Sequence, residues 1–270
     1  MRLEILIITI DEGINNIPAM LLEPCEGIGY VVSWQHSDDK EHYAPAELER
    51  PDVAVHHLSG RGISRNRNNC LRHATADVCL IADDDCQYTH EQLQAVINTF
   101  AQNPDIDIAT FRYTSEENVK KYPAQSVDLS TPTKGYYISS IEIAFKRESV
   151  QGKFWFNELF GYGAPLSCGE EELLVLTAIR QGLKCKFFPI DIVRHDDITN
   201  TVTNVSKSNM LMGRGAFTYI AHPLSFIARI PLNSYRLKKK YGVPFWHGVK
   251  NMLAGVSFYR KHQNDKQSYQ

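Results

Sequence analysis

The stretch "VCLIADDDC" (residues 78–86) decides how the chain is read. Val78 to Ala82 form an unbroken apolar run, suited to a strand covered on both faces, and such strands belong to parallel sheets. The run ends in Asp83, Asp84 and Asp85. Neighbouring carboxylates repel one another, so this cluster costs stability unless a cation or hydrogen bonds offset it. Hard divalent ions take one or two carboxylates together with phosphate oxygens, so an Asp-x-Asp at a strand end suits a metal-bound nucleotide. A solvated acidic turn is the plain alternative.

Working outward, strand-like and helix-like segments alternate. Leu3–Thr9 is another continuous apolar run, and further strands are expected at Gly29–Trp34 and around Val53–His57. The segment "GISRNRNNCLRHAT" (62–75) reads as a polar turn feeding a helix. "THEQLQAVINTFAQNP" opens on Thr89 with Gln92 three residues on, a capping box, and Pro104 stops it. Residues 106–111, 136–145 and 184–195 read as strands, the last interrupted by Pro189; 169–182 reads as a helix with Gly182 just past its end, and Tyr113–Lys134 as a loop or insertion. This alternation predicts an α/β domain with a largely parallel sheet. Ligands of such sheets gather beyond the carboxyl ends of the strands, where Asp83–Asp85 fall.

Composition narrows the class. With 270 residues, 43% of them hydrophobic, the chain can bury a substantial core. A formal net charge of -2 gives no footprint for nucleic acid. No apolar run reaches the ~18–20 residues that span a bilayer. The start "MRLEILIITIDEG" reads as a first strand and not as a signal peptide. Six singly scattered cysteines form no zinc-spaced pair and are expected to be free thiols in a reducing, cytoplasmic setting.

Two further elements could carry chemistry. "GYGAPLSCGEEE" (161–172) sets Glu170, Glu171 and Glu172 at a helix start behind Gly161, Gly163 and Gly169. Acids there complement the helix dipole, but three exceed what the dipole asks for. A carboxylate in a partly dry cleft has a raised pKa, which suits a general base. His195 ends the run "IDIVRH", before Asp196 and Asp197, and its imidazole would suit Mn²⁺ beside a carboxylate; a packed histidine is the ordinary alternative.

In order and spacing these pieces resemble the family 2 glycosyltransferases of the GT-A fold. "GISRNRNN" (62–69) is similar to the family's glycine and Ala-Arg-Asn segment, and "VCLIADDDC" to its strand ending in D-x-D. "FNELFGYGA…GEEELL" (156–174) is similar to its Phe-Asp-Glu, Gly-x-Gly and Gly-Glu-Asp series, and "VRH" to its late histidine strand. The resemblance spans roughly residues 3–200, and the implied organisation is a GT-A domain over 1–205 with a C-terminal helical extension over 206–270. It implies that Asp85 holds Mn²⁺ or Mg²⁺, that His195 is a second metal ligand or a diphosphate contact, that Asp84 meets the ribose and Asp83 the turn or sugar, and that Arg67 lies near the nucleotide or its phosphates. Glu171, with Glu170 beside it, takes the place of the catalytic base. The implied reaction is inverting transfer from a nucleotide-diphosphate sugar, UDP-linked donors being the family's commonest, to a glycan or lipid-linked acceptor in surface polysaccharide assembly.

The chain also departs from the family. Ile8-Thr9-Ile10-Asp11 stands where Pro-Thr-Tyr-Asn is usual, and Ser33-Trp34-Gln35-His36 where Asp-Asp-Gly-Ser is usual. Thr9 and Asp11 are placed with the donor site, Trp34 is expected to stack on the nucleobase and Gln35 to read its edge; Trp34 as a core anchor is the alternative. In the last seventy or so residues, Lys238–Lys240 with Phe245, Trp246, Met252 and Leu253 suggest either a helical cover or a peripheral contact on the inner face of the membrane. Other functions compatible with the acids are a non-catalytic nucleotide-sugar or glycan binder, a nucleotidyltransferase and a phosphohydrolase.

Overall fold

A computed structural model of the protein describes residues 1–37, 41–116, 120–131, 135–195 and 205–264. Its strands are β1 (Leu3–Ile10), β2 (Ile28–His36), β3 (Val53–Ser59), β4 (Val78–Asp83), β5 (Ile108–Thr114), β6 (Val127–Asp128), β7 (Ile143–Lys146) and β8 (Cys185–Arg194). They form one sheet in the order β3-β2-β1-β4-β7-β5-β8-β6. Strands β1, β2, β3 and β4 run parallel, as do β5 and β8, while β7 and β6 are antiparallel to their neighbours.

The unbroken apolar runs explain the centre of this sheet. Every residue of β1 from Leu3 to Thr9 is buried, and so are Val78–Ala82 of β4, as expected of parallel strands with both faces covered. Main helices among the described residues are α1 (Ile17–Met20), α2 (Ile63–His73), α3 (His90–Gln102), α4 (Arg147–Val150), α5 (Glu170–Arg180), α6 (Ser208–Ala221), α7 (Phe226–Tyr241) and α8 (Phe245–His262). Helix α3 starts on the expected capping box of Thr89 and Gln92, and it buries Leu93, Val96 and Phe100.

Two expectations need correction. Residues 136–145 are strand only from Ile143, because Ser140–Glu142 form a short 3-10 turn closed by Ser139. Pro189 does not divide β8; the strand continues past it, with shifts in its register against β5.

The described chain forms two compact units. One holds Met1–Arg61, Arg65–Trp155 and Leu174–Asp197 and contains the whole sheet; the other holds Gly62–Ser64, Phe156–Leu173 and Ile198–Gln270. The division expected at 205/206 therefore differs from the spatial one, since Phe156–Leu173 groups with the C-terminal helices. Residues 196–204, which include Asp196 and Asp197, lie outside the described residues.

In the second unit, Leu211, Ile230, Leu237, Val243, Met252 and Val256 form a core, and Phe160, Leu166, Leu173 and Ala216 form a smaller cluster. Met252, named with either a helical cover or a membrane contact, is fully buried. The approach of α6 and α8 depends on two glycines: a Cβ on Gly215 would run into the Met252 carbonyl, and one on Gly255 into that of Met212. Backbone cannot yield as a side chain does, so the helices would have to separate. Gly215→Ala is expected to destabilise this unit by about 2–3 kcal/mol. Gly242, a left-handed helix end with open space around it, is the control for loss of a glycine alone; thermal unfolding of both variants checks the difference.

Candidate active site

The register of the sheet assembles the first unit's candidate site. Asp83 pairs with Ile8, and Thr9 and Ile10 pair with Trp34 and Gln35, so these residues share the carboxyl ends of three adjacent parallel strands. Beyond those ends the three aspartates diverge to separate partners. Asp83 meets Arg67 from α2 at 3.3 Å and accepts a hydrogen bond from the Ser140 hydroxyl at 3.4 Å. Asp84 accepts from the Thr9 hydroxyl at 2.5 Å. Asp85, the most exposed, lies 3.0 Å from His195 Nε2.

Each partner is itself held. The Asn66 amide donates to the Thr9 carbonyl at 2.9 Å and fixes the end of β1. Gln87 and Arg194 exchange both backbone hydrogen bonds, at 2.8 and 2.9 Å, which brings His195 beside Asp85. Gly13 lies against Asp84 and Thr9 so closely that a Cβ would overlap both. This glycine carries no local motif, and only the packing reveals it.

Asp84 is the strained member. Burial raises its pKa above the ordinary carboxylate value, the Thr9 hydrogen bond opposes the rise, and Asp85 and Asp83 add to it. Arg67, expected near the nucleotide or its phosphates, is 3% exposed and paired with Asp83.

The neighbouring loop corrects the expectation for Trp34. Its ring is 3% exposed, and its indole N–H donates to the Asp11 carbonyl at 2.8 Å. It is a core anchor, not an open stacking face. Gln35 is likewise 3% exposed. Asp11 has φ 50, unusual for a residue with a side chain, and its carboxylate accepts from the Ser37 backbone and hydroxyl at 2.8 and 2.9 Å. Around Trp34 stand three imidazoles that single-residue reading passes over: His36 stacks on His42 and meets His57 at 2.8 Å.

Ser140 reaches Asp83 from a turn set by a buried ion pair. Lys120 Nζ and Glu142 Oε1 are 2.6 Å apart with both side chains fully buried. Tyr122 donates to the same oxygen at 2.5 Å, and the Lys120 ammonium lies 4.2 Å from the Tyr137 ring centre and 5.1 Å from that of Tyr122. Burial nevertheless holds the Glu142 pKa above its ordinary value, against the pull of Lys120.

In the second unit, Gly161 and Gly169 have positive φ and lead into Glu170–Glu172 at the start of α5. Glu170 is 5% exposed, and a Cβ on Gly161 would sit 3.1 Å from its carboxyl. Glu171 and Glu172 are half-buried, both more accessible than Glu170.

Among the described residues, no three His, Cys, Asp or Glu side chains are arranged to hold a metal by themselves. Asp85 and His195 provide one oxygen and one imidazole donor side by side, a set that fits Mn²⁺ or Mg²⁺ when phosphate oxygens complete the coordination.

An eight-stranded mixed sheet flanked by helices matches the architecture of the GT-A glycosyltransferases. Residues 37–162, which include Arg67 and Asp83–Asp85, match the family model "Glycosyl transferase family 2". The matched segment is thus similar to the family 2 glycosyltransferases. No curated protein matches it in sequence. Among solved structures, S. aureus TarS 1-349 is similar at 13% identity and a TM-score of 0.61, over 98% of this chain and 93% of that one. Its complex with UDP-GlcNAc gives 13% identity and 0.58, over 98% and 74%. The mannosyltransferase PcManGT from Pyrobaculum calidifontis, in complex with GDP-Man and Mn²⁺, gives 14% and 0.52, over 96% and 75%. The chain spans 44% of the longer TarS chain.

Two outcomes follow from this geometry. A carboxyl with a raised folded-state pKa contributes stability fully below the ordinary carboxylate range and loses it as pH rises through the raised value. Asp84→Asn is therefore expected to raise Tm at neutral pH, with the gain shrinking as the pH falls towards about 4; a Tm series against pH checks this. Lys120→Met strands Glu142 and is expected to cost about 3–5 kcal/mol, much of it recovered in Lys120→Met/Glu142→Gln. Denaturant unfolding of the single and double variants measures the difference.

Proposed function

We propose that the protein is an inverting, metal-dependent transferase. It moves a sugar from a nucleoside diphosphate donor to a glycan or lipid-linked acceptor of surface polysaccharide assembly. The observation that carries the reading is the Asp85–His195 pair at the end of the Asp83–Asp85 run. A UDP-linked donor is favoured: the TarS structure cited above contains UDP-GlcNAc, while GDP-Man in the mannosyltransferase keeps a guanine donor as the comparison to run.

Asp85 and His195 would hold the divalent ion, which when bound neutralises charge on the departing diphosphate. Asp84, fixed by Thr9 and backed by Gly13, is assigned to the donor ribose, and Asp83 to the turn or the donor sugar. Glu171 takes the proton from the acceptor hydroxyl as that oxygen bonds to the anomeric carbon. The carbon's bond to the diphosphate oxygen breaks on the opposite face, and configuration inverts. Asp11, held by Ser37 and Trp34, shapes the loop beside the donor.

Calorimetry with UDP and GDP, with Mn²⁺ and with EDTA, and assays of sugar transfer test the assignments. Asp85→Ala is expected to lose metal-dependent nucleotide binding and transfer together. Glu171→Gln is expected to keep binding and lose transfer by about 10²–10⁴-fold, the usual worth of a positioned base. Binding lost in Glu171→Gln and kept in Asp85→Ala would overturn both assignments.

A further inference from the structure

Charge is divided unequally along the chain. Residues 1–204 hold 18 Lys and Arg against 30 Asp and Glu, whereas residues 205–264 hold 10 Lys and Arg and no acid. The basic segment is also where large apolar side chains face water: Leu224 is fully exposed, Trp246 76%, Ile227 71%, Tyr235 58%, Leu232 47% and Leu253 45%. Basic charge alone would suit any polyanion, and exposed apolar groups alone would suit any hydrophobic partner. Their coincidence is more selective.

Helix α7 shows how the two are arranged. It buries Ile230, Ser234 and Leu237, the i, i+4, i+7 stripe of a helix packed on one side. At about 100° per residue, Leu232 and Tyr235 fall on the side turned away from that stripe, bordered by Arg229, Arg236 and Lys240, whereas Ile227, exposed in the first turn, lies beside the stripe. The helix ends in Lys238–Lys240. Ile227 also lines a groove of about 660 Å³ with Phe226, Leu253, Val256, Arg260 and Lys261 of α7 and α8. An apolar strip edged by cations, beside an apolar groove with a cationic rim, matches an interface in which acyl chains lie beneath anionic headgroups. A nucleic acid would leave the apolar strip in water. No helix among the described residues is long and apolar enough to cross a membrane, so the contact is peripheral.

We propose that Leu232 and Tyr235 on the outer face of α7, the exposed Ile227 at its start, and Trp246 and Leu253 of α8 dock this protein on an anionic lipid bilayer. The inference rests on the transferase reading only for its purpose, access to a lipid-linked acceptor; the docking is measured without turnover. Buried Met252 has no part in it, and Phe245 is half-buried.

The test is co-sedimentation of the full chain with vesicles of phosphatidylcholine mixed with phosphatidylglycerol, and with phosphatidylcholine alone. The protein is expected to pellet with the mixed vesicles and to be released by salt. Lys238→Ser/Lys239→Ser/Lys240→Ser should lower partitioning on the order of 100-fold, from about fivefold per basic residue. Ile227→Gln/Trp246→Gln should lower it at least about tenfold. These positions are exposed, and both variants are expected to keep wild-type circular dichroism and metal-dependent nucleotide binding. Failure of the wild type to bind mixed vesicles, equal binding by both variants, or sedimentation through self-association without vesicles would overturn the proposal. Any of these with nucleotide binding intact leaves the transferase reading standing. Vesicle binding by a protein that binds no nucleotide would instead sink that reading and leave the docking.

Discussion

Three consecutive carboxylates at the end of a buried strand are the constraint around which the sheet-bearing unit is arranged. Their mutual repulsion is relieved by divergence: Asp83 to Arg67 and Ser140, Asp84 to Thr9, and Asp85 to His195. These partners come from β1, α2, the turn before β7 and the residue after β8. The fold thus closes around the acids from four directions. The cost is not removed entirely, since burial still raises the Asp84 pKa.

The surroundings follow from that constraint. Holding Ser140 to Asp83 requires a rigid turn, and the turn is fixed by Lys120 and Glu142, a buried pair ringed by tyrosines. Holding Asp84 to Thr9 leaves no room for a side chain on residue 13. The loop after β1 then turns with Asp11 at positive φ, secured by Ser37 and by the indole N–H of Trp34. Local strain and buried charge are concentrated where donor chemistry is proposed, and the hydrophobic strands behind supply the stability to sustain them.

Much of this was legible in the sequence, for identifiable reasons. Apolar runs such as Leu3–Thr9 and Val78–Ala82 announce two-faced burial, and the Thr89–Gln92 capping box announces α3. The Asp85–His195 pairing was legible only through resemblance, since 110 residues separate the two and the Gln87–Arg194 backbone bridge joins them. Gly13, Ser140 and Lys120 were not legible, because their roles are made by packing between segments distant in sequence. Trp34 stayed open between a stacking face and a core anchor for a related reason. Beyond the usual family pattern, an aromatic at a strand end can face ligand or core, and here the Asp11 carbonyl draws it inward.

The most direct test of a metal-nucleotide seat at the end of β4 is pulsed electron paramagnetic resonance of Mn²⁺ bound in the presence of UDP. The expected spectrum carries nitrogen coupling from one imidazole, which disappears in His195→Gln, while Asp85→Ala loses most of the bound ion. Bound Mn²⁺ without nitrogen coupling in the wild type, or coupling that persists in His195→Gln, would contradict the assignment of Asp85 and His195 to the metal.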